Sequence, residues 1–245
     1  MSISKKEISF LSSLAHKKYR DAAGLFVVEG EKMVGEALRS GFSLENVYKR
    51  DEIGDQAMAR ITSLSSPSPV LATVRKPDGL LLDAPAIPKR GLFLGLDGIR
   101  DPGNLGTILR IADWFGVDAV YASLDTVDLF NPKVVQATMG AIFRVRFHYT
   151  TLPALCKAVK GNGGQVYGTF LDGENMYEKA LDPGVESPSL ILVGNESNGI
   201  SASVAAEVTE RLFIPPYPPD DPGSESLNAA VATALTVAEF RRRGR

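Results

Sequence analysis

The sequence contains few of the residues that metal and redox sites need. It has one cysteine, Cys156, and two histidines, His16 and His148. A single thiol excludes an internal disulfide framework and a zinc site built from several cysteines. Neither histidine has a cysteine or carboxylate at metal-ligand spacing. We therefore expect no metal in the chemistry, a reducing cytoplasmic compartment, and Cys156 as a small buried apolar residue.

Long apolar runs are also absent. The longest stretches, such as residues 190–193, are far shorter than the ~20 residues that a membrane-spanning helix requires. Residues 1–20 lack an apolar core of signal-peptide length, and Phe10, Leu11 and Leu14 suit the buried face of a helix. An organelle transit peptide stays open, because this start is basic and contains serine. Hydrophobic residues make up 44% of the chain and charged residues 23%, which predicts a soluble globular protein.

The chain has no overall excess of basic residues, since its formal net charge is −2. That argues weakly against nucleic-acid binding, but residues 1–90 carry 14 basic and 11 acidic side chains, and residues 91–245 carry 13 and 18. A local basic patch can bind RNA even on an acidic chain. Charge alone leaves two interpretations open, an RNA-binding patch and solvated helix ends. The clustered basic residues are Lys5, Lys6, Lys17, Lys18, Arg20, Arg241, Arg242, Arg243 and Arg245.

The first part of the chain predicts a small α/β unit. Apolar spacing indicates helices and short strands, and residues 83–90 contain two prolines with little periodicity, which is typical of a linker. The predicted domains are therefore residues 1–88 and residues 89–245. The predicted helices cover 4–16 and 30–39, the predicted strands cover 25–28 and 47–49, and residues 61–64 and 69–74 continue the unit.

The second part predicts an α/β domain with a mostly parallel sheet. The apolar run 91–96 is typical of a strand buried on both faces, and Asn104 is placed to cap a following helix that ends at Gly116. A strand at 117–122 completes a βαβ unit. The remaining predicted elements are strands at 166–170, 190–193 and 212–214 and a last helix over 226–243.

Three polar loops follow predicted strands, and ligands of such sheets bind at the carboxyl ends of the strands. The first loop leads into Asn104 and Arg110 and lacks the Gly-x-Gly-x-x-Gly fingerprint of dinucleotide-binding enzymes. Arg110 lies off the apolar helix face, where it could reach an anion. A helix cap and a surface arginine explain the same two residues equally simply.

The second loop, Gly-Asn-Glu-Ser-Asn-Gly at 194–199, directly follows a buried strand. Glycines allow a close approach of the backbone to a ligand, although a strand–helix turn capped by Ser201 would have a similar composition. The third loop, residues 214–228, contains five prolines and leads into Ser226 and an alanine-rich helix. Small residues there permit the close approach of a ligand or another helix.

Together and in this order, the loops resemble the three signature motifs of the SpoU (TrmH-type) family of RNA 2′-O-ribose methyltransferases, in the SPOUT superfamily. The motifs are Asn104-x-Gly-x-x-x-Arg110, the segment 192–201, and Ile214-Pro followed by Ser226-Leu227-Asn228. The resemblance covers residues 91–243. Residues 17–30 also resemble the ribosomal-protein-like RNA-binding domain that many members carry before the catalytic domain.

The resemblance implies a parallel α/β domain with a C-terminal trefoil knot, a homodimer, and methyl transfer from S-adenosylmethionine to a ribose 2′-hydroxyl. It implies Arg110 as the residue that activates the hydroxyl, although a permanently charged guanidinium is a poor base and could instead bind phosphate and stabilise the oxyanion. The other implied polar site residues are Asn104, Glu196, Ser226 and Asn228. The implied cofactor-binding residues are Thr169, Leu171, Gly194, Asn195, Ile214 and Leu227. The expected RNA-binding residues are Lys17, Lys18, Arg20 and Arg110.

Two features depart from the family pattern, the insertion from Tyr217 to Pro222 and Ala229-Ala230 where many members have Val-Ser. Ribosomal RNA of the 23S type is the favoured substrate, because the N-terminal domain favours ribosomal RNA. A transfer-RNA ribose methyltransferase, an RNA-binding protein without catalysis and a Rossmann-type nucleotide enzyme are the alternatives. The last is disfavoured by the missing glycine fingerprint, and the inactive protein by the presence of both Asn104 and Arg110.

Overall fold

The computed structural model describes residues 3–83, 85–218 and 226–244. A short 3-10 helix covers Ala141–Phe143. Within these ranges, no helix has the length and apolar character that crossing a membrane requires. The α-helices are α1 (Lys5–Ser13), α2 (Lys17–Ala23), α3 (Glu31–Arg39), α4 (Arg50–Ile53), α5 (Asp55–Ile61), α6 (Pro102–Trp114), α7 (Pro132–Ala137), α8 (Leu152–Gly161), α9 (Ala202–Ala205) and α10 (Ala229–Arg243). The strands are β1 (Leu25–Glu29), β2 (Leu44–Lys49), β3 (Val70–Arg75), β4 (Gly91–Asp97), β5 (Ala119–Ala122), β6 (Phe147–Tyr149), β7 (Gln165–Asn175), β8 (Pro188–Gly194) and β9 (Glu210–Phe213).

The chain forms two compact units, and both are discontinuous in sequence. The first comprises residues 1–78 and 128–144, and the second comprises residues 79–127 and 145–245. The first unit therefore ends before residue 88, the last residue of the predicted first domain. It also includes a segment from the second half of the chain. The predicted limits of the functional domains stay a prediction.

The first unit is built on a three-stranded antiparallel sheet in the order β1-β3-β2. Helices α1 and α5 pack on each other, and Leu11 of α1, Leu14 directly after α1 and Met58 of α5 share one apolar core with β1 and β3. The strand predicted at 25–28 and the helix predicted at 30–39 are confirmed. The helix predicted over 4–16 is shorter than expected, since α1 ends at Ser13 and α2 begins at Lys17.

The segment 128–144 completes this first unit through aromatic and ionic contacts. The ring of Phe130 lies 4.5 Å from that of Phe26, and the ring of Phe143 lies 6.5 Å from it, measured between centroids. The carboxylate of Asp128 pairs with the guanidinium of Arg20 at 2.5 Å. Burial of these rings removes a large apolar area from water, so the segment is part of the core of the unit.

The second unit confirms the predicted α/β class. Its six strands are all parallel and lie in the order β6-β5-β4-β8-β7-β9. Gly95 lies in the middle of β4, where an added Cβ would come within 2.6 Å of a terminal methyl of Leu192, so that side chain would have to shift. Cys156 of α8 is fully buried, as predicted, and burial raises the pKa of its thiol to about 12. Helix α8 itself was not among the predicted elements.

Candidate active site

The candidate site lies at the carboxyl edge of the parallel sheet in the second unit. Strands β4 and β8 are neighbours, and Asp97 at the end of β4 lies opposite Gly194 at the end of β8. The loops that follow these two strands therefore begin side by side. The helix α10, which follows the third loop, packs against α6 and β8.

Asn104 is not the helix cap that the sequence predicted. Asp101 caps α6, and its Oδ1 accepts a hydrogen bond from the backbone N–H of Asn104 at 2.7 Å. Pro102 follows in the first turn, where the N–H that proline lacks has no intrahelical partner. The Asp-Pro pair was the sequence signal for this start. Because Asn104 lies inside the helix, its side-chain amide can bond to other loops.

The side chain of Asn104 connects the three predicted loops. Its Nδ2 donates to Oε1 of Glu196 at 2.5 Å, and its Oδ1 accepts from Nδ2 of Asn228 at 2.9 Å. Asn228 in turn caps α10, since its Oδ1 accepts from the backbone N–H of Ala230 at 2.9 Å. The prediction that this helix begins at Ser226 is wrong, because the capping residue is Asn228. The structure thus brings together Asn104, Glu196 and Asn228 from distant parts of the chain.

Arg110 lies on α6 and is exposed. Its guanidinium has no hydrogen bond or ion pair with another residue in the part of the chain that the structure describes. A cation in this state is available to an external anion. Its location, two turns along the helix that starts beside the three loops, agrees with the family pattern Asn104-x-Gly-x-x-x-Arg110.

Gly194 and Asn195 shape the loop after β8. An added Cβ at Gly194 would lie 2.2 Å from the carbonyl carbon of Gly199, so only glycine fits there. The side-chain oxygen of Asn195 accepts from the backbone N–H of Ser197 at 2.9 Å, and its Nδ2 donates to the carbonyl of Gly98 at 2.6 Å. The Asn195 side chain is thus engaged with the protein backbone and ties the second loop to the first.

The remaining predicted cofactor residues differ in exposure. Leu171 is 70% exposed and Leu227 is 48% exposed, which is high for apolar side chains. Thr169 and Ile214 are half-buried, and the hydroxyl of Thr169 donates to the carbonyl of Leu192 at 3.3 Å. Ser226 is exposed. The part of the predicted insertion after residue 218 lies outside the described residues. Among the described residues, no group of three or more His, Cys, Asp or Glu could hold a metal ion.

The predicted RNA-binding residues of the first unit separate into two classes. Lys17 and Lys18 are exposed on α2, and Lys17 pairs with Asp21 at 2.5 Å. Arg20 is only 2% exposed, donates to the carbonyls of Leu14 and Ala15 at 2.8 Å, and pairs with Asp128. This guanidinium is part of the core of the first unit, and its bonds to the backbone and to Asp128 leave Lys17 and Lys18 as the exposed residues of the predicted set in this unit.

The arginines at the end of α10 also act within the fold. Arg241 donates through Nε to the carbonyl of Phe115 at 2.8 Å and also bonds to the carbonyl of Gly116. Arg242 and Arg243 pair with the buried carboxylate of Glu239 at 2.6 and 2.8 Å. The bond from Arg242, with further help from Arg243, lowers the pKa of Glu239 to about 2. The C-terminal basic cluster is therefore largely structural.

Comparison with known proteins identifies the family. The model of the SpoU rRNA methylase family matches residues 91–238, which is more than half of the chain. The chain belongs to the SpoU rRNA methylase family. A second family model, the MRM3-like substrate binding domain, matches residues 5–72. The family predicted from the three loops is confirmed.

Similar proteins cover nearly the whole chain. The Bacillus subtilis 23S rRNA (guanosine(2553)-2′-O)-methyltransferase RlmP is 32% identical, and the match covers 92% of this chain and 92% of that relative. A Porphyromonas gingivalis structure assigned to the TrmH family of RNA methyltransferases is 37% identical, with a TM-score of 0.86 and coverage of 99% and 100%. An rRNA methyltransferase from Sinorhizobium meliloti, solved with AdoMet bound, is 28% identical, with a TM-score of 0.84 and coverage of 99% and 96%. These likenesses confirm the predicted fold class.

Proposed function

We propose that this member of the SpoU rRNA methylase family transfers a methyl group from S-adenosylmethionine to a ribose 2′-hydroxyl of 23S-type ribosomal RNA. The observation that carries the proposal is the pair of hydrogen bonds that join Asn104 to Glu196 and Asn228. They bring the three family motifs into one polar cluster, and the exposed Arg110 follows six residues after Asn104 on helix α6. The relative from Bacillus subtilis, a 23S rRNA methyltransferase matched over 92% of its length, supports the choice of RNA.

The loops around the cluster fit S-adenosylmethionine. The tight turn after β8 requires glycine at position 194 and begins at the edge of the sheet. Leu171 and Leu227 offer exposed apolar surface to the adenine ring and the methionine chain of the cofactor. When bound, S-adenosylmethionine supplies the electrophilic methyl group that the ribose oxygen accepts. Thr169, Gly194, Asn195, Ile214 and Leu227 are the residues that we propose hold it, with Leu171 at the rim.

Arg110 binds the anionic part of the substrate in this proposal. Its guanidinium is permanently charged and offers several donors, which suits a phosphate and the oxyanion that develops on the ribose. Asn104, held by Glu196 on one side and Asn228 on the other, has a fixed amide orientation and defines the polar wall of the site. Ser226, exposed just before Asn228, adds a hydroxyl on the same segment. Their shared task is to orient the reacting hydroxyl.

Residues 1–88 act as the RNA substrate-binding domain and residues 89–245 as the catalytic domain in this proposal. The match of residues 5–72 to a substrate-binding family model supports the first assignment. Lys17 and Lys18 supply exposed positive charge on α2 for RNA phosphates. A cytoplasmic site of action suits a rRNA-modifying enzyme with a free, buried cysteine.

The active form is a homodimer with a C-terminal trefoil knot. Trp114 at the end of α6 is 86% exposed, and Val231 and Leu235 on α10 are 47% and 39% exposed. These two helices pack on each other, and apolar side chains left open on both of them favour a partner surface. Trp114 is the only tryptophan, so its fluorescence should move to shorter wavelength as the monomer associates. Membership of the SpoU rRNA methylase family supports the proposal of a knot.

The test is transfer of tritium-labelled methyl from S-adenosylmethionine to 23S rRNA fragments, transfer RNA and unrelated RNA, followed by mapping of the alkali-resistant ribose. We expect labelling of a 23S fragment at one nucleotide and binding of S-adenosylmethionine by calorimetry. Selective labelling of transfer RNA would replace the substrate. Binding of RNA with no transfer to any RNA, by protein that binds the cofactor, would make the chain an RNA-binding protein.

A further inference from the structure

Three of the loops at the carboxyl edge of the parallel sheet carry mostly negative charge. They follow β4 (residues 97–101), β5 (residues 123–127) and β8 (residues 194–201), and all three lie within the described part of the second unit. Arg100 is the single basic residue in these loops. The carboxylates in them are Asp97, Asp101, Asp125 and Glu196.

Three of these carboxylates accept hydrogen bonds from groups within the protein. Asp97 is buried and accepts from the backbone N–H of Ser201 at 2.7 Å, Asp101 caps α6, and Glu196 holds Asn104. None of these bonds includes a cationic group. An RNA backbone that approaches this edge therefore meets uncompensated negative charge at distances within a Debye length. A basic side chain on these loops would offset this negative charge and allow a phosphate to bind.

Arg100 is the side chain placed to meet that need. Its neighbours in the loop are fixed, because Ile99 is fully buried and its carbonyl accepts from the backbone N–H of Val127 at 2.8 Å. Gly98 is held from both sides, by the hydroxyl of Ser123 at 2.8 Å and by the amide of Asn195 at 2.6 Å. The backbone next to Arg100 is thus held in place by hydrogen bonds, while the Arg100 side chain is 70% exposed.

The partner of Arg100 within the unit is weak. Its guanidinium lies 3.9 Å from the carboxylate of Asp125, which is itself 61% exposed, and such surface pairs contribute little. Asp125 is fixed by the hydroxyl of Ser123 at 2.6 Å. This arrangement aims the guanidinium without occupying its donors, so a phosphate can replace the carboxylate with bidentate geometry.

We infer that Arg100 binds a backbone phosphate of the RNA beside the methylated nucleotide, and that Asp125 positions its guanidinium in the RNA-free enzyme. The inference rests on the proposed function for the identity of the ligand. It adds a binding residue on the loop after β4 that lies outside the three motif positions. Arg110 would then contact the RNA from helix α6, and Arg100 from the loop that precedes this helix.

The experiment compares Arg100→Gln with Arg90→Gln, because these exposed arginines flank opposite ends of β4. RNA binding is measured without cofactor across a salt series, using the 23S fragment that the wild-type enzyme binds. We expect Arg100→Gln to bind about tenfold more weakly and to reduce the slope of log K against log salt by about 0.9, as loss of one phosphate contact does. Arg90→Gln should match the wild type in both quantities.

Steady-state kinetics provide the second measurement. Arg100→Gln should raise KM for RNA with little change in kcat and no change in the affinity for S-adenosylmethionine, and Arg100→Lys should restore the salt slope. An unchanged slope in Arg100→Gln, or an equal change in Arg90→Gln, would overturn the inference. If the wild type binds RNA but transfers no methyl group, the proposed function fails, while the salt slopes still decide whether Arg100 contacts phosphate.

Discussion

The two ends of helix α6 use the same kinds of polar group for different purposes. At the N-terminal end, Asn104 bonds to side chains of two other loops, and Arg110 two turns later has no partner in the described structure. At the C-terminal end, the carbonyls of Phe115 and Gly116 are closed by Arg241 of α10. Residue type alone therefore does not separate Arg110, for which we propose substrate binding, from the structural Arg241, but their bonding in the structure differs.

The largest effect should come from Arg110→Ala. We expect kcat to fall by roughly a hundredfold to a thousandfold, which is typical for loss of a donor to a developing oxyanion. The melting temperature and the affinity for S-adenosylmethionine should stay at wild-type values, since the guanidinium bonds to no described residue. Differential scanning calorimetry and single-turnover methylation measure the two quantities. Near-normal turnover would remove Arg110 from the site.

Arg241→Ala should give the opposite pattern. It removes charged hydrogen bonds to the carbonyls of Phe115, Gly116 and Pro183, and we expect a loss of about 2 kcal/mol of stability. For a chain of this size that corresponds to a melting temperature lower by roughly 4–8 °C. Methyl transfer measured well below this temperature should be unchanged. A variant that keeps its melting temperature but loses activity would reverse the proposed roles of the two ends.

A pH experiment sharpens the structural side of the comparison. Because the folded-state pKa of Glu239 is about 2, below its ordinary value of 4.5, its pairing with Arg242 and Arg243 stabilises the fold fully above pH 4.5. That contribution is lost as the pH falls from 4.5 through 2. Urea unfolding between pH 3 and pH 6 should show a smaller rise in stability with pH for Glu239→Gln than for the wild type. Parallel curves would contradict the assignment.

The smallest effect belongs to the first unit, where the same contrast recurs between exposed lysines and a buried arginine. Replacing both Lys17 and Lys18 with alanine should weaken RNA binding several-fold and lower the salt slope, while leaving the melting temperature and the cofactor affinity unchanged. Arg20→Ala is the matched comparison, because it should mainly lower stability through the loss of its bonds to Asp128 and to the turn after α1. RNA affinities that do not respond to the lysine change would place the RNA elsewhere.

Most strands of the parallel sheet could be predicted from the sequence, because buried strands such as β4 and β8 are continuous apolar runs. Their order could not, because β4 pairs with β8 from a distant part of the chain. The start of α6 could also have been found, since Asp101-Pro102 is a local capping signal. The bonds from Asn104 to Glu196 and Asn228 could not, because they join positions far apart in the chain and depend on the tertiary fold. The burial of Arg20 was equally invisible, since its carboxylate partner Asp128 lies in a distant segment.

The division of the first unit into residues 1–78 and 128–144 bears on how the protein is synthesised. Phe26 and Arg20 leave the ribosome long before Phe130 and Asp128, the residues that cover the ring and neutralise the guanidinium. The nascent chain must therefore keep an incomplete core while strands β4 and β5 of the other unit are made. Translation interleaves the two folding reactions, and a fragment that stops at residue 78 would present an open aromatic face and a buried charge without its counter-ion.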